Sequence, residues 1–481
     1  MKRMLFTLFA VMAMSVSLSA QDMAEAADSS KTATKVISIE QALEIALSEN
    51  ASVKVADMEV LRTGYARKGS YASLFPQIDG NAAYQRTIKK QVMYMDFDMP
   101  GMGGGKGEGE GKGEGKGDSS SSSSSSTAAG GGFEVGRWNT WSAGVSASMP
   151  LVNAQLWQSL KISDMDVELA VEKARSSKLE MVKQVKQAYF ACLLAKEAFG
   201  VYKSVYENAL ANLEQTQRKY NAQKASELDL ARAKTSLANA IPNVFDAENS
   251  VVLSLWQLKA VMGVDLSEEI DVDGTLLDYD DELLEVSVCM EQPDLSGNSS
   301  LRQLDIQAQQ LAASIKAQEY ASLPSIALSF SYSMNAMTND FKFNTYRWSP
   351  YSYVGLSLQV PIFAGGKRAN AVRQARVQAD ELAIQTQETE RQLRIAIRQC
   401  LNTMDTAVKS YSSALSAVES AGKAYDIASK SYSVGKNTLT DLNDAQLALT
   451  QARLTSSQAV YNYLVAKANL ESHIGADFTN E

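Results

Sequence analysis

Between Pro361 and Gly435 the apolar residues advance by fours and threes through Ile397, Leu401, Met404, Val408, Tyr411, Leu415, Val418 and Tyr425, with Gly422 the one interruption. That spacing is a heptad seam and predicts a long coiled-coil helix. An earlier stretch keeps the register with Val185, Tyr189, Cys192, Phe199, Tyr202, Tyr206, Ala209, Leu213, Thr216 and Tyr220. Each stretch has room for a helix of about 70 residues, roughly 100 Å long, far beyond an ordinary globular helix.

Other segments alternate instead. Ser325 to Asn335 places Ile326, Leu328, Phe330, Tyr332 and Met334 on one face and small or polar residues on the other. Thr140 to Met149 does the same with Trp141, Ala143, Val145, Ala147 and Met149, and so does Val354 to Val360; Ile78 to Tyr84 follows more weakly. These are strands, each near the 9 to 11 residues that a tilted strand needs to cross a bilayer. Trp138, Trp141, Tyr346, Trp348, Tyr351 and Tyr353 gather near the strand ends, where an aromatic girdle meets the lipid–water interface.

The two halves of the chain are copies of one unit. Asn50-Ala-Ser-Val-Lys aligns with Asn298-Ser-Ser-Leu-Arg, and Tyr71-Ala-Ser-Leu-Phe-Pro76 with Tyr320-Ala-Ser-Leu-Pro324. Further on, Lys219-Tyr220 and the run to Asp229-Leu230 align with Ser431-Tyr432 and the run to Asp441-Leu442. The first copy is longer by a Gly/Lys/Glu and serine insert over about 99–132, a composition that cannot bury apolar surface.

The predicted organisation is a leader over 1–20, an extension over 21–37, a first repeat over 38–264, a connector over 265–297, a second repeat over 298–475 and a tail over 476–481. The first repeat holds a β-hairpin about 77–149 and a helical hairpin about 153–262 with its tip about 221–227. The second holds a β-hairpin about 325–360 and a helical hairpin about 365–474 with its tip about 433–440. Pro76, Pro150, Pro324 and Pro361 fall where helices meet strands, where a missing donor and a fixed φ are tolerated. The short helices, about 40–74 and 226–262, together match the long one from about 153 to 220, so stacked end to end they span the same length.

Lys2 and Arg3 followed by the apolar run Met4–Leu18 and Ser19-Ala20-Gln21 give the layout of an export leader. No other window offers about 18 apolar residues in a row, so membrane entry requires β-strands. Four strands cannot close a barrel, whereas three chains supply about twelve with space for a lumen. The expected fold class is therefore mainly α with membrane β-hairpins, a duplicated unit forming a trimeric 12-stranded β-barrel continued by an α-helical barrel.

A net charge of -9 without any basic cluster argues against nucleic acid. Cys192, Cys289 and Cys400 lack metal or redox spacing and are expected as structural thiols. The single histidine, His473, sits beside Gly475 as a capping or surface residue, and no catalytic, cofactor or metal motif is present.

Two segments carry a family resemblance. Ser431-Tyr-Ser-Val-Gly435-Lys-Asn-Thr-Leu-Thr-Asp441-Leu-Asn-Asp444-Ala resembles the second periplasmic hairpin tip of TolC-type outer-membrane efflux proteins. Leu356-Ser-Leu-Gln-Val-Pro361-Ile-Phe-Ala-Gly-Gly366-Lys-Arg resembles their strand-to-helix signature. The resemblance covers the chain apart from leader and insert. It implies a homotrimeric exit duct in outer-membrane lipid, docking onto a periplasmic adaptor and an inner-membrane RND or ABC-type transporter, for efflux or type I secretion.

By the same resemblance Asp441 and Asp444 would form carboxylate rings at the periplasmic entrance, a device for cation preference. The positions matching the family's closing links are Asp229, Tyr432 and Asn437. Asn437 stands where the prototype has an arginine, and an amide cannot make the charged bidentate clamp. Ala225, Ser226, Leu228, Gly435, Thr438 and Leu439 would face the adaptor. Gln223 aligns with Gly435, where a helical hairpin favours φ > 0. A non-conducting periplasmic coiled-coil scaffold or adaptor is the alternative, one that needs no lipid-length hairpins.

Overall fold

The structure, a computed structural model, describes residues 35–93, 133–279 and 294–475. The expected leader, the insert over 99–132, Cys289 and the tail lie outside the described residues. The first copy runs through β1 (Lys35–Ile37), α1 (Ile39–Glu49), α2 (Ala51–Ala72), β2 (Gln77–Arg86), β3 (Gln91–Met93), β4 (Phe133–Val135), β5 (Asn139–Val152), α3 (Ala154–Asn221) and α4 (Glu227–Met262). After β6 (Ile270–Val272) the second copy follows with α5 (Ser299–Tyr320), β7 (Ser325–Thr338), β8 (Ser349–Gln359), α6 (Lys367–Ser433) and α7 (Leu439–Ile474). The chain separates into a strand unit, Gly69–Gln158 with Ala317–Arg368, and a helical unit made of the rest.

In the strand unit the four long strands form one antiparallel sheet in the order β2-β5-β7-β8. The β5–β7 ladder joins the hairpins of the two repeats. Because side chains alternate across a pleat, the register fixes two faces. Ile78, Ala147, Phe330 and Val354 form one cross-strand row, and Asp79, Ser146, Ser331 and Tyr353 form the next, on the opposite face. The apolar face is exposed, with Val354 at 71%, Leu356 at 67% and Leu358 at 64%, and the edge strands β2 and β8 are exposed on their polar face as well.

The register corrects the aromatic girdle. Tyr351 and Tyr353 pair with Ser333 and Ser331 and stand on the small, polar face, their rings 5.8 Å apart. Strand parity decides this, and nearness to the strand end does not. Tyr346 is buried and donates its hydroxyl to the Asp340 carbonyl at 2.8 Å. Pro150 is corrected too: it lies within β5, at a register shift before Val152, so a bulge absorbs its missing donor. Pro76, Pro324 and Pro361 lie just outside β2, β7 and β8.

In the helical unit α3 and α6 run 68 and 67 residues. Val185, Tyr189, Cys192, Ala209 and Thr216 are buried on α3, as are Ile397, Leu401, Met404 and Tyr411 on α6. The seam then departs from expectation, since Ala414 is buried and Leu415 is 48% exposed, while Tyr220 is 38% exposed. A straight helix drifts against a seven-residue repeat, so over many turns the neighbouring position takes the contact. A second seam, of alanines, runs beneath: Ala407, Ala414 and Ala428 are buried, and so are Ala233, Ala240 and Ala247 on α4 and Ala452, Ala459 and Ala466 on α7. Seven-residue spacing of a methyl lets paired helices approach closely.

The main core lies around the middle of α3, where β1 pairs in parallel with β6. The Tyr189 hydroxyl donates to the Asp273 carbonyl at 2.7 Å, and Lys196 Nζ to that of Val272 at 2.7 Å, fastening the ribbon to the helix. Burial pushes the Tyr189 hydroxyl up to about 12 and the Cys192 thiol up to about 11, so this cysteine stays protonated and inert. No described helix is long and apolar enough to cross a membrane.

Candidate functional site

The two helical tips are built alike. At the end of α3 the amides of Ala222, Gln223 and Lys224 donate to the carbonyls of Arg218, Tyr220 and Lys219. At the end of α6 those of Val434, Gly435 and Lys436 donate to Lys430, Tyr432 and Ser431 in the same order. Such endings require a left-handed residue. Gly435 supplies it at φ 79°, and Gln223 adopts φ 51°, the one positive φ outside glycine among the described residues.

The next helices begin identically as well. Ser226 and Thr438 both sit at φ -82° and ψ 159° as N-caps of α4 and α7, each in a capping box with the aspartate three residues on. Asp229 Oδ2 accepts from the Ser226 amide at 3.2 Å and hydroxyl at 2.7 Å. Asp441 Oδ2 accepts from the Thr438 amide at 3.0 Å and hydroxyl at 2.8 Å. The hydroxyl bond to Thr438 holds the Asp441 carboxyl below its ordinary 3.8.

Asp441 and Asp444 are exposed and lie three residues apart, on one side of α7. Within one chain, the three positions that match the family's closing links by resemblance do not bond to one another. Asp229 turns to its own cap, Asn437 is exposed, and the Tyr432 side chain is buried against α3. There the Tyr432 hydroxyl meets Thr216 Oγ1 at 2.5 Å, and Lys219 Nζ donates to the Tyr432 carbonyl at 2.6 Å while standing 4.3 Å from its ring centre. Neither Thr216 nor Lys219 stands out in the sequence as a site residue. The spacing to Tyr220 places Thr216 on the seam, and nothing marks Lys219.

Of the tip residues, Ser226, Leu228, Gly435 and Thr438 are exposed and Ala225 half-buried. Leu439 is a correction: it is 2% exposed, enclosed with Ala233, Ala428, Tyr432 and Leu442. A leucine one residue past an N-cap turns inward when that side of the helix already holds the seam. A further link joins the tips, from Arg232 Nη1 to Thr440 Oγ1 at 3.4 Å.

His473, in the last turn of α7, lines a cavity of about 410 Å³ with Cys400, Asn462 and Asn469. Burial, and then the nearby Lys183, lower its pKa from 6.5. Among the described residues no group of His, Cys, Asp and Glu is arranged to hold a metal ion.

Comparison with known proteins agrees with this architecture. The profile of the family described as outer membrane efflux protein matches residues 114–264 and 293–476. The outer membrane protein TolC of Vibrio cholerae is 23% identical over 335 residues, 69% of this chain and 76% of that protein. TolC of Escherichia coli K12 is 22% identical over 347 residues, 70% of each. Among solved structures, the CmeC outer membrane channel of Campylobacter jejuni superposes with a TM-score of 0.67 at 18% identity, covering 91% of this chain and 85% of that one. VceC of Vibrio cholerae gives 0.67 at 14%, covering 92% and 96%.

Proposed function

The chain belongs to the outer membrane efflux protein family, and on that premise we propose that it is the exit duct of a tripartite efflux or type I secretion system. In this reading three copies close one barrel. Substrates then pass without chemistry from an adaptor and an inner-membrane RND or ABC-type transporter to the exterior.

The observation that carries the reading is the four-stranded sheet with one exposed apolar face and two open edges. An edge strand of ten or more residues with unpaired main-chain groups cannot face hydrocarbon, since each orphaned group costs several kcal/mol there. Because neighbours are antiparallel throughout and the strand number is even, β8 of one copy is oriented to pair with β2 of the next. Closure by two copies leaves a filled interior, and closure by three leaves a lumen lined by the serine-rich face. A periplasmic scaffold gives no reason for leucines and valines to line one whole exposed face.

In the helical unit, Asp441 and Asp444 of each copy would ring the entrance, and the exposed tip residues would meet the adaptor. The test is extraction followed by light scattering and bilayer recording. The proposal expects detergent-dependent solubility, the mass of three chains and ion conductance. A monomer released without detergent would overturn it.

A further inference from the structure

The end of α6 is tied to α3 by a contact that the repeat does not share. Tyr432 is 7% exposed and Thr216 fully enclosed. Thr216 spends its only proton on the Asn212 carbonyl at 2.7 Å, so at the 2.5 Å contact the tyrosine hydroxyl is the donor. Lys219 adds a cation that caps the last-turn carbonyl of Tyr432 and stands over its ring, both favourable at a helix C-terminus. The equivalent Tyr220 is 38% exposed; at the position matching Thr216, Ala428 lacks the hydroxyl, and at the position matching Lys219, Ser431 lacks the charge.

We infer that Lys219 and Thr216 of α3 latch the second tip against α3 within one chain. The role of this latch in controlling flow rests on the conduit reading above. Moving the end of α6 away from α3 would strand a buried hydroxyl and leave a helix-end carbonyl without its cation, and all three contacts break together. The neutral Asn437 is then no defect, because the positive group that holds this tip comes from Lys219. Both act as positioning residues for the entrance; neither needs to touch what passes.

The test uses the full-length protein in detergent and in planar bilayers, comparing wild type with Lys219→Met, Lys219→Arg and Tyr432→Phe. Hydrogen exchange of the amides from Ser431 to Gly435 should quicken about tenfold in Lys219→Met and in Tyr432→Phe, while Lys219→Arg, which keeps charge and donor, should match wild type. Closed-state conductance should rise about tenfold in the same two variants and not in Lys219→Arg. Unchanged exchange in Lys219→Met would overturn the latch, as would quickened exchange with unchanged conductance in channels that do conduct. If neither wild type nor any variant conducts, the conduit reading fails, while the exchange measurement still decides whether Lys219 holds the tip.

Discussion

The side-chain amide of Asn298 donates to the main-chain carbonyl of His473 over 2.7 Å, and Asn50 makes the same 2.7 Å bond to Val261 in the first repeat. Each asparagine also accepts from the first turn of the helix it starts, Asn298 from the Leu301 amide and Asn50 from that of Ser52. One side chain thus serves two helix ends, the start of α5 or α2 and the finish of α7 or α4, so the short helices meet end to end. Gly475 and Gly263 close the finishing helices at φ 75° and 77°, with no space for a Cβ against Gly297 and Asn50.

Asn298→Asp keeps the acceptor and loses the donor, leaving a buried carboxylate against a carbonyl. A loss of about 2–3 kcal/mol is expected in denaturant unfolding. Asn298→Ala, which removes both roles without adding charge, should cost about 1–2 kcal/mol. Equal losses for the two variants would mean that the donor is unimportant.

Arg175 secures the same junction from α3. Its Nη1 and Nη2 donate to the Gly297 and Gly475 carbonyls at 3.2 and 3.0 Å, and Nη1 pairs with the largely buried Glu172 at 3.1 Å. Arg175→Met should therefore destabilise by roughly 2–3 kcal/mol. Pairing it with Glu172→Gln should cost less than the two single losses added, as a double-mutant cycle reads out.

Gln223 in its left-handed conformation gives a test of opposite sign. Gln223→Gly should stabilise the protein by roughly 0.5–1 kcal/mol, and Gly435→Gln should destabilise it by a similar amount. A melting comparison of the two single variants is sufficient.

Asp441 predicts a pH response of the second tip. Its carboxyl is depressed by the Thr438 cap, so its contribution is complete above the ordinary 3.8 and is lost as the pH falls through the lowered value. Thr438→Ala should bring the Asp441 titration, followed by carboxyl NMR, back up toward 3.8 and increase exchange in the first turn of α7.

Asp441→Ala combined with Asp444→Ala is expected to weaken cation selectivity and cation block. An unchanged reversal potential under a salt gradient would reject luminal carboxylate rings at these positions.

Deleting Gly103 to Gly130 should leave assembly and melting unchanged, because the β3–β4 ladder pairs Met93 with Phe133 and brings the two sides of that segment together. Loss of the assembled form on gel filtration would show the segment to be structural.

Much of the fold is legible in the sequence because two periodicities are properties of the chain itself. Steps of three and four must wind into a seam, alternation must divide a strand into two faces, and duplication states each pattern twice. Thus α3, α6 and the four long strands follow from Val185, Ile397, Phe330 and their neighbours. The need for φ > 0 at Gln223 likewise follows from its alignment with Gly435.

Tertiary structure alone decided the rest, because those choices depend on what lies opposite. Leu439 and Leu415 are both leucines on apolar positions, yet packing buries the first and leaves the second outside. Tyr353 took the polar face through its pairing with Ser331. Asp229, Tyr432 and Asn437 are joined by resemblance, but the first two bond to what stands within reach: Asp229 to its cap, Tyr432 to Thr216 and Lys219. A sequence states which groups need a partner; only the folded chain, by bringing distant segments within about 3 Å, determines which partner each one finds.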